Sequence, residues 1–374
     1  MPNLVLYRKY RPQKFSEIVG QEYIVQTLTN AIANGMISHA YLFGGPRGVG
    51  KTTLARIFAK AVNCQNRKEG EFEPCNKCLS CTEITSGHAL DLLEIDAASH
   101  RGIDEIRELK DGIRFAPTKS KYKVFIIDES HQLTKEAANA LLKTLEEPPS
   151  HTIFILATTE IHKMIPTIIS RCQRFDFRKL TMPEIIKRLE ILSEKENTKI
   201  EKAALELIAL NSGGSIRDAE SLLDQVLTFS GISDKKKEIK AEDIKDLLGL
   251  VEVGLVSKFS GYLFEKKASG AINFLNETIE KGIDVNEFVK SLIVYLRQAL
   301  VLKIMGVSEI QNPILSGLTK EEFQKMQSQI NNLQEADLKR ILDIVLEASN
   351  KMKYSPIPQL PLELAVVELI EQQK

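Results

Sequence analysis

The sequence predicts an α/β domain built on a parallel sheet, followed by helices for most of the remaining chain. Three observations predict it. Gly45-Pro46-Arg47-Gly48-Val49-Gly50-Lys51-Thr52 fits G-x-x-x-x-G-K-[ST], the pattern of a phosphate-binding loop. Val124-Phe125-Ile126-Ile127 is an apolar run that ends in two carboxylates, Asp128 and Glu129. From Met182 onward the strand patterns largely stop and the apolar spacing turns helical.

Composition bounds the rest. At 374 residues the chain has room for two or three domains. Lys+Arg and Asp+Glu are equal at 50 each, so net charge gives no hint of nucleic-acid binding, although a local basic stripe is still open. No apolar run reaches the length of a membrane span, and residues 1–12 lack a signal-peptide core, so a cytoplasmic protein is expected, with no membrane partner. In that compartment five cysteines point to metal ligands or core residues before disulfides.

Tyr7-Arg8-Lys9-Tyr10-Arg11-Pro12 reads as a solvated basic arm with an anchoring aromatic, in which Pro12 disfavours helix at Arg11. Ile18-Val19-Gly20-Gln21 leads into a helix from about Glu22 to Asn34. Ala40-Tyr41-Leu42-Phe43 is a short buried strand, and Leu54, Ile57, Phe58 and Ala61 share one face of a helix over 53–62. Strand, glycine loop and helix together make the phosphate site credible. Glycines let successive N–H groups turn inward at the positive end of the helix dipole. Lys51 is placed to reach the β- and γ-phosphates, and the Thr52 hydroxyl to ligate Mg²⁺.

Cys64, Cys75, Cys78 and Cys81 follow with the spacing C-x10-C-x2-C-x2-C. Each C-x-x-C turn offers two thiolates to one tetrahedral ion, and four sulfurs close a structural zinc site with no open position for water. The polar stretch between, Gln65 to Pro74, has no apolar pattern and needs such a staple. A redox pair or unliganded thiols are the rival readings.

Asp91 to Asp96 is strand-like, and 102–115 reads as a charged helix; Arg101, Arg107, Lys110 and Arg114 either form part of a basic face or are plain solvated surface. Asp128 and Glu129 lie at the carboxyl end of the next strand, where α/β sheets place ligands. Asp128 suits holding Mg²⁺, directly or through a bound water, and Glu129 suits polarising the attacking water. A helix over 136–147 is stopped by Pro148-Pro149. The strand 152–157 ends in Thr158-Thr159, which would either bond the γ-phosphate or water, or merely cap a helix. Ser170-Arg171-Cys172 places an arginine at a helix end, with Cys172 read as core, and Phe175 to Leu180 reads as a last strand. Helices then cover 183–196, 202–211 and 217–229. Arg217, in the first turn of the third, opposes the helix dipole and is more easily explained by an anionic partner. Lys235-Lys236-Lys237 marks an exposed turn, and an all-helical bundle runs from about Gly249 to a final helix over 362–370.

The phosphate loop, the Asp-Glu strand end, the threonine strand end, Ser-Arg-Cys and Gly214-Ser215-Ile216-Arg217-Asp218-Ala219 together resemble an AAA+ ATPase. The four-cysteine insert, Tyr10-Arg11-Pro12, Val19-Gly20-Gln21, His39 to Phe43 and Glu94 to Ser99 narrow this to the gamma/tau family of bacterial DNA polymerase III, which drives the sliding-clamp loader. The resemblance is dense over 4–227 and thinner beyond. It implies a RecA-like ATPase domain (1–179, with the zinc module at 64–81), a helical lid (180–245) and an oligomerising collar (246–374). It further implies that ATP sits between ATPase domain and lid. Arg11, Pro12 and Val19 would line the adenine, and Gly45 to Thr53 would hold the phosphates. Thr158 or Thr159 would be the first sensor and Arg217 the second. Arg171 would be a finger acting on ATP bound by a neighbour, and Cys64, Cys75, Cys78 and Cys81 would bind zinc. The implied partners are delta and delta-prime type subunits and copies of this chain in a ring of five, the clamp, and primer-template DNA gripped by its backbone. No polymerase active site is visible, so the expected reaction is ATP + H2O to ADP + phosphate, within the polymerase III holoenzyme. A non-hydrolysing stator would be expected to lose loop or Asp-Glu residues kept here. A helicase loader or branch-migration motor is disfavoured by the cysteine insert and the helical tail, and a nucleotide-binding scaffold by Glu129 and Arg171.

Overall fold

The structure is a computed structural model and describes residues 4–99, 113, 115–229, 238–249, 251–306 and 318–371. It divides into two compact units, Met1–Ala241 and Glu242–Lys374. The basic face and helix expected around 102–115, and the lysine turn at 235–237, lie outside the described residues almost entirely.

In the first unit, α1 (Leu6–Lys9) and a single 3-10 turn (Phe15–Glu17) precede α2 (Glu22–Ala33). Then come β1 (Ala40–Gly44), α3 (Lys51–Val62), α4 (Leu79–Ser86), β2 (Leu92–Asp96) and β3 (Lys123–Asp128). They are followed by α5 (Lys135–Glu146), β4 (Thr152–Thr158), α6 (Pro166–Ile169) and β5 (Gln173–Asp176). The five strands form one parallel sheet in the order β2-β3-β4-β1-β5. β1 is all apolar or small because both of its faces are covered. Tyr41 and Phe43 join the layer of α2 and α3, where Tyr41 meets Phe58 edge-on at 4.8 Å. Leu42 joins the opposite layer with Phe125 and Phe154, which stack at 5.3 Å. Each fully buried large side chain of this kind contributes about 1.5–3 kcal/mol.

Two elements differ from the expectation. The last strand is Gln173–Asp176, not 175–180, and Phe177 only extends it by donating to the Gly44 carbonyl. β5 is an edge strand with a single buried residue, Phe175, so its polar majority hides the strand pattern. The basic opening is not a solvated arm throughout, because residues 6–9 form α1 and Leu6 is buried.

Three helices complete this unit: α7 (Met182–Lys195), α8 (Lys202–Asn211) and α9 (Ile216–Phe229). α7 starts on a capping box in which Thr181 and Glu184 exchange bonds. Arg178 beside it holds the Glu184 carboxyl down to about 2. Gln21 ties α2 to this junction, with its amide bonding both the carbonyl and the N–H of Arg178.

The helix α10 (Ala241–Leu248) runs across the division between the units. The second unit contains α11 (Val253–Phe264), α12 (Ala268–Glu280), α13 (Val285–Met305), α14 (Lys320–Ile330), α15 (Glu335–Met352) and α16 (Leu360–Glu371). Phe259 and Phe288 meet edge-on at 5.2 Å in its core, with Leu292, Leu296, Val345 and Leu362 around them. Among the described residues, no helix is long and apolar enough to cross a membrane.

Candidate functional site

β1, β3 and β4 deliver three groups of functional side chains to one edge of the sheet. After β1 the chain turns through the glycine loop into α3. Gly48 has a left-handed φ of 75° and Gly50 one of 100°, conformations that strain any residue with a Cβ. At Gly48 a Cβ would also lie 1.9 Å from the Ser215 hydroxyl. Gly48→Ala is therefore expected to weaken nucleotide binding by about tenfold or more, as its backbone strain is relieved only by moving the loop. Titration with a fluorescent nucleotide checks this.

Lys51, the first residue of α3, is 7% exposed, and its Nζ donates to the carbonyls of Gly45 and Pro46 at 2.8 Å each. Burial lowers its pKa, while Glu129 and then Asp128 support its charge. The Thr52 hydroxyl donates to Asp128 at 2.7 Å. This pair brings the end of the glycine loop and the end of β3 together, although 76 positions separate the two residues in sequence. Glu129 has a left-handed φ of 47° and accepts the Thr159 hydroxyl at 2.8 Å. Thr158 is fully buried, its hydroxyl 2.9 Å from His131 Nδ1 and accepting the Glu160 N–H. The two threonines thus face different partners, and Thr159 is the one that touches Glu129.

The cleft beside these groups is lined on the sheet side by Arg47 to Thr53, Asp128 and Glu129. Arg11, Pro12, Ile18 and Val19 form another wall, and Ile216 and Arg217 of α9 a third. Arg217 donates its backbone N–H to the Gly48 carbonyl at 3.3 Å, and its guanidinium lies 4.8 Å from the centre of the Tyr7 ring. Gly45 and Pro46 contribute carbonyls to Lys51 and are not among the lining residues. Arg171 is also absent from this cleft. It follows α6, is 33% exposed and pairs with Glu146 at 2.6 Å. Cys172 packs against the core, where burial pushes its thiol up to about 12.

Sequence reasoning missed Tyr7, Arg188 and Glu220, which line the same cleft. Arg188 of α7 and Glu220 of α9 are almost completely buried and pair at 2.8 Å. A second guanidinium nitrogen of Arg188 donates to the Tyr10 carbonyl at 2.6 Å. Burial raises the Glu220 carboxyl despite the opposing pull of Arg188 and Arg11. The available signal was a charge on an otherwise apolar helix face, Arg188 beside Leu189 and Leu192, and Glu220 beside Ala219 and Leu223. Arg188→Ala strands a buried carboxylate and is expected to cost about 3–5 kcal/mol of stability. Urea unfolding of the whole chain would show it as an earlier first transition.

The cysteine cluster stands apart from the cleft. Its four Sγ atoms lie within 4.8 Å of one another, and Cys75 and Cys81 are 4.0 Å apart. Four zinc-bound thiolates at about 2.3 Å from the ion sit roughly 3.8 Å apart, so the set fits a tetrahedral ion. The N–H groups of Lys77 and Cys78 donate to Cys75 Sγ, and that of Cys75 to Cys64 Sγ. Burial raises the Cys75 thiol, but these donors outweigh it and bring it down to about 6, while burial keeps Cys64 and Cys81 high. A metal cation would favour the thiolate at all four positions.

Residues 20–181 match the family described as DNA polymerase III, delta subunit. Residues 184–232 match the DNA polymerase III clamp loader subunit ATPase lid domain, and 239–374 match domain III of the gamma and tau subunits. The tau subunit of Bacillus subtilis is 44% identical over 98% of this chain, which spans 63% of that relative's length. The gamma subunit of Buchnera aphidicola (Acyrthosiphon pisum strain) is 34% identical, with 98% of each chain covered. Among solved structures, Thermotoga maritima RuvB is 20% identical, with a TM-score of 0.49 over 73% of this chain and 86% of its own.

Proposed function

Because the chain belongs to the DNA polymerase III gamma/tau family, we propose that it is an ATP-hydrolysing subunit of a sliding-clamp loader. In this reading residues 1–179 are the ATPase domain, 180–245 the lid and 246–374 the collar. The observation that supports it most is the convergence of Lys51, Thr52, Asp128, Glu129 and Arg217 on one cleft. Lys51 and the loop N–H groups would bind the phosphates, and Arg217 would reach the γ-phosphate from the lid. Arg11, Pro12 and Val19 would hold the adenine. Thr52 and Asp128 would hold Mg²⁺, which supplies charge neutralisation to the phosphates. Glu129 would accept the proton of the attacking water, with Thr159 fixing its carboxylate. Cys64, Cys75, Cys78 and Cys81 would hold a structural zinc ion.

The same reading makes Arg171 an in-trans group, facing ATP bound by the neighbouring subunit. ATP binding then closes a ring of five with delta and delta-prime type subunits and further copies of this chain. The closed ring opens the clamp and grips primed DNA by its backbone, with basic residues and helix N-termini, so binding is salt-sensitive and indifferent to sequence. Hydrolysis releases the clamp. The setting is the bacterial cytoplasm, at the replisome.

Steady-state ATP hydrolysis by the purified chain tests this, alone and then with the other loader subunits, clamp and primed DNA. The expected result is low activity alone that rises with partners and DNA. Full activity alone, indifferent to DNA, would leave an ATPase and remove the clamp-loader role.

A further inference from the structure

The wall of the cleft that carries Arg11, Pro12 and Val19 is fastened from behind by the cysteine module. Glu73, two positions before Cys75, accepts the backbone N–H groups of Phe15 at 3.0 Å and Ser16 at 2.8 Å. Phe72 meets the buried Phe15 ring edge-on at 6.5 Å. Asn76, held at a left-handed φ of 57° inside the Cys75–Cys78 turn, donates to the Gln13 carbonyl at 3.3 Å. Lys60 of α3 is only 2% exposed, and its Nζ donates both to Asn76 Oδ1 at 2.8 Å and to Gln13 Oε1. Thr85 of α4, just past Cys81, donates to the same Gln13 oxygen.

Segment 11–19 has no strand or long helix of its own to hold it. Its only regular element is a three-residue 3-10 turn, Phe15–Glu17, and Glu73 satisfies two N–H groups at the start of that turn. One side of the segment lines the cleft and the other is bonded to the module. Burying Lys60 is costly unless its charge is met by fixed acceptors, and the two it has belong to the segment and to the module. The position of each therefore depends on the other.

We infer that the cysteine module, closed on its metal, is a positioning device for the base-binding wall of the nucleotide site. It acts through Glu73, Asn76 and Lys60, so it sets affinity for the nucleoside part of ATP and leaves the phosphate loop untouched. This rests on the nucleotide reading proposed above. Glu73 and Lys60 do not line the cleft and are positioning residues.

The test uses the full chain with Glu73→Ala, which keeps all four thiols. Affinity is measured for a fluorescent ATP analogue and, by competition, for inorganic tripolyphosphate, with zinc content read in parallel. Glu73→Ala is expected to retain zinc and bind ATP about tenfold more weakly, with tripolyphosphate affinity and the rate at saturating ATP unchanged, as two charge-assisted bonds to the wall are lost. Stripping zinc from the unaltered chain with a chelator should give a selective loss at least as large, because the Asn76 and Lys60 links are loosened together with Glu73. Unchanged ATP affinity in both cases would overturn the inference. So would equal weakening for ATP and tripolyphosphate, which would mean damage to the whole site. An unaltered chain that fails to bind ATP would instead overturn the proposed function, and this inference with it.

Discussion

Arg171→Ala is expected to abolish partner-stimulated ATP hydrolysis, a loss of about 10³–10⁵ in rate, while nucleotide binding by the isolated chain stays as it was. The two effects separate because Arg171 lies outside the cleft of its own chain. Its ion pair with Glu146 is exposed and its backbone partner is the Thr167 carbonyl one turn back. Exposed pairs of this kind contribute about 0–1 kcal/mol, so turning the guanidinium toward a neighbour, as the proposed role requires, would cost little. Once there it would stabilise the charge that develops on the transferring phosphoryl group. Steady-state hydrolysis by the reconstituted loader, with clamp and primed DNA, measures the loss. A variant that hydrolyses at the full stimulated rate removes the in-trans role.

Glu129→Gln is the second large effect. The amide keeps the size of the side chain and an oxygen to accept the Thr159 hydroxyl, so the site should still fold and bind ATP. It has no basic oxygen to take the proton of water. General-base contributions are typically 10²–10⁴, so hydrolysis should fall by about that factor. Single-turnover hydrolysis, beside a binding titration, distinguishes this from lost affinity. Retained turnover would move water activation to another group, and the nearest candidate on the same edge is His131, whose Nδ1 lies 3.4 Å from Glu129 Oε2.

Most of the sheet side of the cleft was legible in the sequence because the residues that form it are local. Gly48, Gly50, Lys51 and Thr52 sit within five positions, and the loop conformation they need restricts what residues fit. Asp128 and Glu129 follow an apolar run whose burial on both faces is written in four consecutive residues. The cysteine cluster was legible for the same reason. Arg188 and Glu220 were not, since their pairing joins helices 32 positions apart, and each alone looks like one charge among many. Nor does adjacency in sequence tell that Thr158 turns to His131 while Thr159 turns to Glu129. β5 was misplaced because an edge strand has one dry face, and Gln173, Arg174 and Asp176 are all exposed.

The strand order has a consequence for synthesis. β1 leads into the glycine loop and is among the first elements to leave the ribosome, yet both of its neighbours, β4 and β5, come much later. Ala40 pairs with Phe154, roughly 110 positions downstream, so at about 5–20 residues per second β1 waits on the order of ten seconds for a partner. During that interval Tyr41, Leu42 and Phe43 are aggregation-prone surface, and the sheet cannot condense around them. A stalled or truncated nascent chain ending before residue 152 should therefore be a strong client for holding chaperones, whereas one extending past 176 has every strand of the sheet.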